Sequence, residues 1–223
     1  MSAFGTGKAM CAIVCDGAGS AELGGQGASV VCRTLTQGLR QHFAASDQLP
    51  SDDDIWSWID LARDRLGLAA DRREKARRAF ASTMILLIIS GDTALTAHVG
   101  DGAVVARIGQ DAWSTLSEPA NGEYASMTYF VTDDPSPQLR ISRFSEAFTG
   151  FAIFSDGIEN LALDHKNNEP HAPFFKTMLA PLDGSSEIGR IPKLSAALAA
   201  FLGGTRVCEK TDDDKTLILL SSR

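Results

Sequence analysis

Runs of apolar residues alternate along this chain with turns that contain aspartate and glycine. The first run, residues 10–15, is long enough for a buried strand and breaks into the turn Asp16-Gly17-Ala18-Gly19. A second run covers residues 82–89, and residues 93–99 and 103–108 follow it after short polar turns. Because successive strands joined by short turns pair antiparallel, these last three segments are predicted to form an antiparallel meander.

Apolar residues recur at helical spacing in the segments between the strands. This mixture favours a layered α+β architecture over a doubly wound parallel sheet. A break at Gly67 is expected to separate the second predicted helix from the third. The predicted helices cover residues 24–45, 55–66, 71–80, 173–179 and 188–202, and further strands are predicted at 113–116, 127–132, 139–144, 150–154 and 216–220.

The composition is that of an ordinary globular protein, and residues 1–223 are predicted to form a single domain. The formal net charge of −7 argues against a nucleic-acid partner, because neutralising phosphates requires a basic surface. No apolar run reaches the length of a membrane span, and no signal-peptide pattern is present, so no membrane partner and a cytoplasmic location are expected. Cys11 and Cys15 share one strand face, which is typical of reduced core thiols.

Two glycine-rich segments match nucleotide-binding motifs only in part. The sequence GTGK at residues 5–8 follows no predicted strand and lacks the Ser or Thr of a phosphate-binding loop. Gly17-x-Gly19 is followed by Glu22 where a dinucleotide-binding fold has its third glycine, and a carboxylate there would repel a pyrophosphate. Both readings are therefore rejected.

Acidic residues stand at the ends of several predicted strands. Each Asp-Gly pair taken alone is typical of an ordinary turn. Their repeated position directly beside buried apolar strands is what indicates a shared site, because converging carboxylates require cations or protons to be stable. Oxygen-only sites of this kind suit Mg²⁺ or Mn²⁺. The acidic positions are Asp16, Asp101, Asp156 and the run Asp212-Asp213-Asp214.

The order of these elements resembles the metal-dependent protein phosphatases of the PP2C family, and it is most similar to a small bacterial branch whose first motif reads DGAGSA. The resemblance spans nearly the whole chain and implies a four-layer αββα sandwich of two mostly antiparallel sheets flanked by helices. The segments that carry it are VCDGAGSAELGGQGA at 14–28, ASTMILLIISGDTALTAHVGDGAVVAR at 81–107, FAIFSDGI at 151–158 and DDKTLILL at 213–220.

The resemblance also implies roles for individual residues. Asp16 would bridge two Mn²⁺ or Mg²⁺ ions, with the carbonyl of Gly17 as a further ligand. Asp156 and Asp213 would complete the set of ligands of the first of these ions, and the register with Thr216 favours Asp213 over Asp214. Asp101 would support a third ion. The implied reaction is attack of a metal-activated water on a phosphomonoester, without a covalent phosphoenzyme.

The chain departs from the family pattern at two places. Alanine stands at position 18, where some members have a histidine proposed as general acid. The family also has an arginine and an acid on a strand upstream of the first Asp-Gly motif, and neither occurs before Met10. Residues 1–9 are expected to be a turn, a disordered end or a truncated start. Without the upstream strand, one edge of the β-sheet would be unpaired. Arg33, more than a turn into the first helix, is a poor substitute for that arginine.

Three hypotheses follow for function. The first is a phosphoserine/phosphothreonine phosphatase that acts on phosphoproteins, including targets of a cognate Ser/Thr kinase, with residues 109–148 shaping substrate choice. The second is a non-catalytic pseudophosphatase that binds phosphoproteins. The third is a structural role in a multiprotein assembly, which predicts a large exposed apolar patch. His98 is expected to be a core histidine satisfied by hydrogen bonds.

Overall fold

Two antiparallel sheets lie face to face between layers of helix in the computed structural model, which describes residues 1–120, 128–164 and 167–222. The strands are β1 (Ser2–Gly5), β2 (Met10–Val14), β3 (Met84–Ser90), β4 (Thr93–Val99), β5 (Ala103–Ile108), β6 (Ala112–Ser117), β7 (Arg140–Ser145), β8 (Phe148–Phe154) and β9 (Leu217–Ser221). The helices are α1 (Gly24–Ala45), α2 (Asp52–Asp71), α3 (Glu159–Ala162), α4 (Ala172–Asp183), α5 (Pro192–Leu202) and α6 (Thr205–Cys208).

The strand order is β1-β2-β3-β4-β7 in the first sheet and β6-β5-β8-β9 in the second. Three apolar layers hold this arrangement together: one between α1, α2 and the first sheet, one between the sheets, and one between the second sheet and α4. Alternate residues of β2 belong to two of these layers, since Ile13 faces the helices and Val14 faces the second sheet. Burial on both faces explains why β2 and β3 are almost continuously apolar. The four-layer prediction is confirmed.

The expectation for the first nine residues is wrong in one respect. Ser2–Gly5 forms a strand that pairs with β2, from Ser2 opposite Ile13 to Gly5 opposite Met10. The edge of β2 is therefore covered along most of its length. The tetrapeptide SAFG has too few apolar residues to show a strand pattern, and its conformation comes from pairing with β2.

The predicted three-stranded meander is also wrong. β3 and β4 form the expected hairpin, but β5 pairs with β6 and β8 in the second sheet. Gly100 has a φ of +117°, which redirects the chain after β4, and a Cβ at Gly102 would lie 2.4 Å from the carbonyl oxygen of Phe154. These two glycines allow the chain to cross between sheets at this point.

The predicted helix over residues 71–80 is wrong. α2 continues through Gly67 to Asp71, the chain then turns, and only Arg77–Phe80 forms a short 3₁₀ segment. Residues 71–78 are almost all charged, so a helix there would have no apolar face to pack. The last long helix starts at Pro192 rather than at residue 188, after Gly189 with a φ of +86°.

Residues 109–148 contain β6 and β7 and, between them, the segment 121–127, which lies outside the described residues. The strand predicted at 127–132 falls partly there, and residues 129–132 are loop and turn. Throughout the described part of the chain, no helix has the length and apolar character needed to cross a membrane.

Candidate metal centre

Asp16 lies at the corner where β2 ends. Its backbone N–H donates to Thr83 Oγ1 at 3.2 Å, and its carbonyl oxygen accepts a hydrogen bond from the Thr83 N–H at 2.8 Å. A Cβ at Gly17 would lie 2.3 Å from the carbonyl carbon of Gly24, so only glycine lets the first turn of α1 pack this closely. The corner is thus fixed by β3 on one side and by α1 on the other.

Asp156 lies at the equivalent corner after β8, beside the entrance to β9. The buried hydroxyl of Ser155 donates to the carbonyl oxygen of Asp214 at 3.2 Å and accepts a hydrogen bond from the Thr216 N–H at 3.2 Å. A Cβ at Gly157 would lie 2.2 Å from the same carbonyl oxygen. The serine therefore ties the acidic run before β9 to the Asp156 corner, and the glycine makes room for it.

Asp101 reaches the same region from the end of β4. The Thr128 hydroxyl donates to Asp101 Oδ2. Because Gly100 takes up the left-handed backbone conformation, Asp101 stands at a sharp turn between the two sheets, close to where β2 and β8 end.

The charges of these carboxylates act on one another. Burial, followed by the charges of Asp101, Asp213 and Asp16, raises the pKa of Asp156 to about 7. Burial, then Asp213 and Asp214, raise the pKa of Asp16 to about 6. The pKa of Asp101 is raised by burial and by Asp213, against the lowering effect of the hydrogen bond from Thr128.

The structure thus brings together Asp16, Asp101, Asp156 and Asp213, which are four of the five predicted site residues, and places the fifth, Gly17, at the Asp16 corner. Asp213 raises the pKa of all three other carboxyls, whereas Asp214 acts on Asp16. An all-oxygen donor set of this charge fits a hard divalent cation. Among the described residues, however, no three acidic, histidine or cysteine side chains already form a metal shell. Binding would require these carboxylates to draw together around the ion.

A cavity of about 480 Å³ opens beside Asp16 and Gly17. Asp214 and Thr216 line it from the entrance to β9, and Arg33 lines it from α1. Ser155, Thr83 and Thr128 have no role predicted from the sequence, and the sequence disfavours Arg33. Ser155 directly precedes Asp156 and Thr83 directly precedes β3, so their adjacency to the motifs was the available signal.

His98 is fully buried between the sheets and is a core histidine, as predicted. Its Nδ1 lies 2.8 Å from Ser117 Oγ and 2.9 Å from Arg140 Nη2. Since the guanidinium can only donate, Nδ1 acts as acceptor and the ring is neutral. Within the described part of the chain Nε2 has no partner, so the prediction that hydrogen bonds satisfy the ring holds for one nitrogen.

Comparison with known proteins agrees with the motif resemblance. The sequence profile of the Protein phosphatase 2C family matches residues 2–203, which include Asp16, Asp101 and Asp156 but end before Asp213. The chain is 37% identical over 212 residues to Serine/threonine-protein phosphatase 3 of Escherichia coli (strain K12), covering 92% of this chain and 81% of that protein.

Solved structures show the same fold at much lower identity. PppA, described as a key regulatory component of T6SS in Pseudomonas aeruginosa, matches with a TM-score of 0.66 at 16% identity, covering 98% of this chain and 88% of that one. The serine/threonine phosphatase Stp1 from Staphylococcus aureus matches with a TM-score of 0.60 at 17% identity, covering 96% and 84%. The profile match and the Escherichia coli relative show that the chain belongs to the protein phosphatase 2C family of protein serine/threonine phosphatases.

Proposed function

We propose that this chain hydrolyses phosphoserine and phosphothreonine in proteins with the help of bound Mn²⁺ or Mg²⁺. Asp16, the Gly17 carbonyl, Asp156 and Asp213 would hold two ions, and Asp101 would support a third. The observation that carries the proposal is the convergence of these carboxylates from four separate strand ends, where burial and mutual repulsion raise the pKa values of Asp16 and Asp156. A cluster that is costly without a cation is well suited to binding one.

The protein residues supply charge and geometry. Asp16 and Asp156 stand on corners that are held by Thr83 and Ser155, so their carboxylates are presented without long flexible segments. Bound divalent ions would acidify a water molecule and stabilise the charge that develops on the phosphoryl group. Position 18 is alanine, so we propose that the leaving oxygen takes its proton from solvent water.

The test is Mn²⁺-dependent turnover of p-nitrophenyl phosphate and of a phosphothreonine peptide. We expect activity that a chelator abolishes and that falls by at least about a hundredfold in Asp156→Asn, because the amide removes one charged ligand oxygen. The matched control is Asp92→Asn, an exposed aspartate in the β3–β4 turn. Absence of turnover at saturating metal would instead favour the pseudophosphatase hypothesis.

We further propose that residues 109–148 shape substrate choice. Within the described residues of this segment, Thr128 contacts Asp101 of the site. The same segment contains β7, which forms an edge of the first sheet. The phosphoproteins concerned would be products of a protein Ser/Thr kinase. Exchange of this segment with that of the Escherichia coli relative should change the ranking of phosphopeptide substrates; an unchanged ranking would contradict the proposal.

A further inference from the structure

Arg33 brings a positive charge into the cavity beside Asp16. Of the described residues that line this cavity, two have cationic side chains: Arg33 from α1 and Lys215 from the entrance to β9. The Lys215 ammonium donates to the carbonyl oxygen of Asp213 at 2.9 Å, so it is already engaged. Arg33 is exposed, and within the described residues its guanidinium has neither an ion pair nor a hydrogen bond. It is therefore available to an anion that enters the cavity.

The cavity continues along α1. A second space of about 500 Å³ shares Cys32 and Arg33 with the first and runs past Thr36 and Gln37 to Arg40. Of the described residues that line it, none is an aspartate or glutamate. In a protein with 28 acidic and 21 basic residues, such a surface is a local concentration of positive charge. We call the stretch lined by Arg33, Thr36, Gln37, Arg40 and Gln41 the α1 groove.

Arg40 is held at the far end of the α1 groove. Its guanidinium carbon lies 4.7 Å from the centre of the Phe4 ring, a cation–π contact with β1 that leaves the edge of the guanidinium free to donate hydrogen bonds. Arg33 and Arg40 are seven residues apart on one helix, which separates them by about 10 Å along its axis. An extended peptide covers that distance in about three residues.

We propose that Arg33 pairs with the phosphoryl group of the substrate and that Arg40 pairs with a carboxylate three positions away along the substrate chain. The inference rests on the proposed function, because it places the phosphoryl group at the carboxylate cluster. Guanidinium groups pair with both phosphate and carboxylate through two parallel hydrogen bonds. The substrate class is therefore a phosphoprotein segment with an acidic residue three positions from the phosphorylated one.

The experiment compares three phosphothreonine peptides that differ only in having alanine at both flanking positions, glutamate at −3, or glutamate at +3. With the wild-type protein we expect one glutamate peptide to have a kcat/KM about tenfold above that of the alanine peptide, a typical effect of one charge-assisted contact. Arg40→Ala should abolish this preference, because the kcat/KM of the preferred glutamate peptide should fall to that of the alanine peptide. Equal kcat/KM values for the three peptides would overturn the role of Arg40.

Arg33 is tested on every substrate, because all of them contain the phosphoryl group. Arg33→Ala should raise KM by about ten- to a hundredfold for p-nitrophenyl phosphate and for all three peptides, with a smaller change in kcat and partial recovery in Arg33→Lys. Arg72→Ala removes the same charge from the exposed end of α2 and is the matched control. A KM for Arg33→Ala equal to that of the control would overturn the role of Arg33 and leave the proposed function standing.

A separate readout covers the case in which the wild-type protein turns over no substrate, so that the proposed function fails. The dissociation constants of the same fluorescent peptides are then measured directly. Weaker binding of all phosphopeptides by Arg33→Ala, and of the preferred glutamate peptide by Arg40→Ala, would support the α1 groove as a phosphopeptide site. Dissociation constants that match those of Arg72→Ala would overturn it.

Discussion

Gly157 lies so close to Asp214 that an added Cβ would be 2.2 Å from the Asp214 carbonyl oxygen and 3.5 Å from the Cβ of Asp213. The obstacle is backbone, which cannot swing aside as a flexible side chain can. The glycine of this Asp-Gly corner therefore does more than allow a turn: it brings the acidic run before β9 against Asp156, and with it the charge that raises the Asp156 pKa.

Gly157→Ala is expected to push the acidic run away from Asp156. We expect a loss of about 1–3 kcal/mol in the free energy of unfolding, from the overpacked contact, and a higher Mn²⁺ concentration for half-maximal turnover. Gly67→Ala is the control and should increase the free energy of unfolding, because nothing lies within 4 Å of a Cβ there and alanine is the better helix former. An unchanged metal requirement in Gly157→Ala would show that this contact does not position Asp213.

The metal-free protein should become less stable as the pH rises, in part because of Asp156. Its pKa is about 7 in the folded protein and 3.8 as the ordinary value, so the folded state binds the proton more tightly. The favourable contribution of the protonated form is present at low pH and is lost as the pH rises through about 7. Asp156→Asn has no charge to bury, so in chelator its melting temperature should exceed that of the wild type.

The increase in melting temperature of Asp156→Asn over the wild type should be larger at pH 8 than at pH 5. Each kcal/mol of stability corresponds to about 2–4 °C for a domain of this size. Thermal melts at the two pH values, with Asp92→Asn as control, make the comparison. Added Mn²⁺ should reverse the order of wild type and variant, since only the wild type has the full set of ligands. A difference that stays constant with pH would contradict the assignment to Asp156.

His98 should act in the opposite pH direction. Burial, followed by the charge of Arg140, lowers the pKa of His98 from 6.5 to about 3. Between these two pH values the unfolded chain binds a proton at this histidine and the folded protein does not. Stability should therefore decline as the pH falls below 6.5. His98→Gln should be less stable at pH 8, because the contacts with Ser117 and Arg140 are lost, yet it should lose less stability between pH 7 and pH 5.

Thermal melts across this range check the His98 prediction. His171→Gln makes the same substitution at an exposed position and is the control. If His98→Gln loses as much stability between pH 7 and pH 5 as the wild type does, another group is responsible for the decline at low pH.

The Asp-Gly corners were predictable because each depends on local sequence: an apolar run that must be buried, followed by residues that favour a turn. What the sequence did not reveal depends on contacts between distant segments. β1 takes its conformation from β2, and β5 joins the second sheet because Gly102 fits against Phe154. Arg33 shows the same limit, since its place in the first helix is predictable but the cavity that it lines beside Asp16 is not.

Arg63 offers the last test, because this one side chain from α2 holds the loop that leads away from Thr128. It is 7% exposed, and its Nη1 donates to the carbonyl oxygens of Val131 at 2.6 Å and Asp133 at 2.7 Å, while Nη2 donates to that of Pro135 at 3.1 Å. Arg63→Met leaves these carbonyls without their charged donor. We expect a loss of about 2–3 kcal/mol, or about 4–12 °C in melting temperature.

The consequence of Arg63→Met should extend to the site, because the same loop places the Thr128 hydroxyl on Asp101. A loosened loop presents that hydroxyl less often, so the Asp101 pKa should rise and Asp101 should bind a cation less readily. We therefore expect Arg63→Met to need more Mn²⁺ for half-maximal turnover at a temperature where it is fully folded. Arg78→Met, at an exposed position, should change neither quantity. If Arg63→Met is less stable but needs the same Mn²⁺ concentration as the wild type, the role of this arginine is structural only.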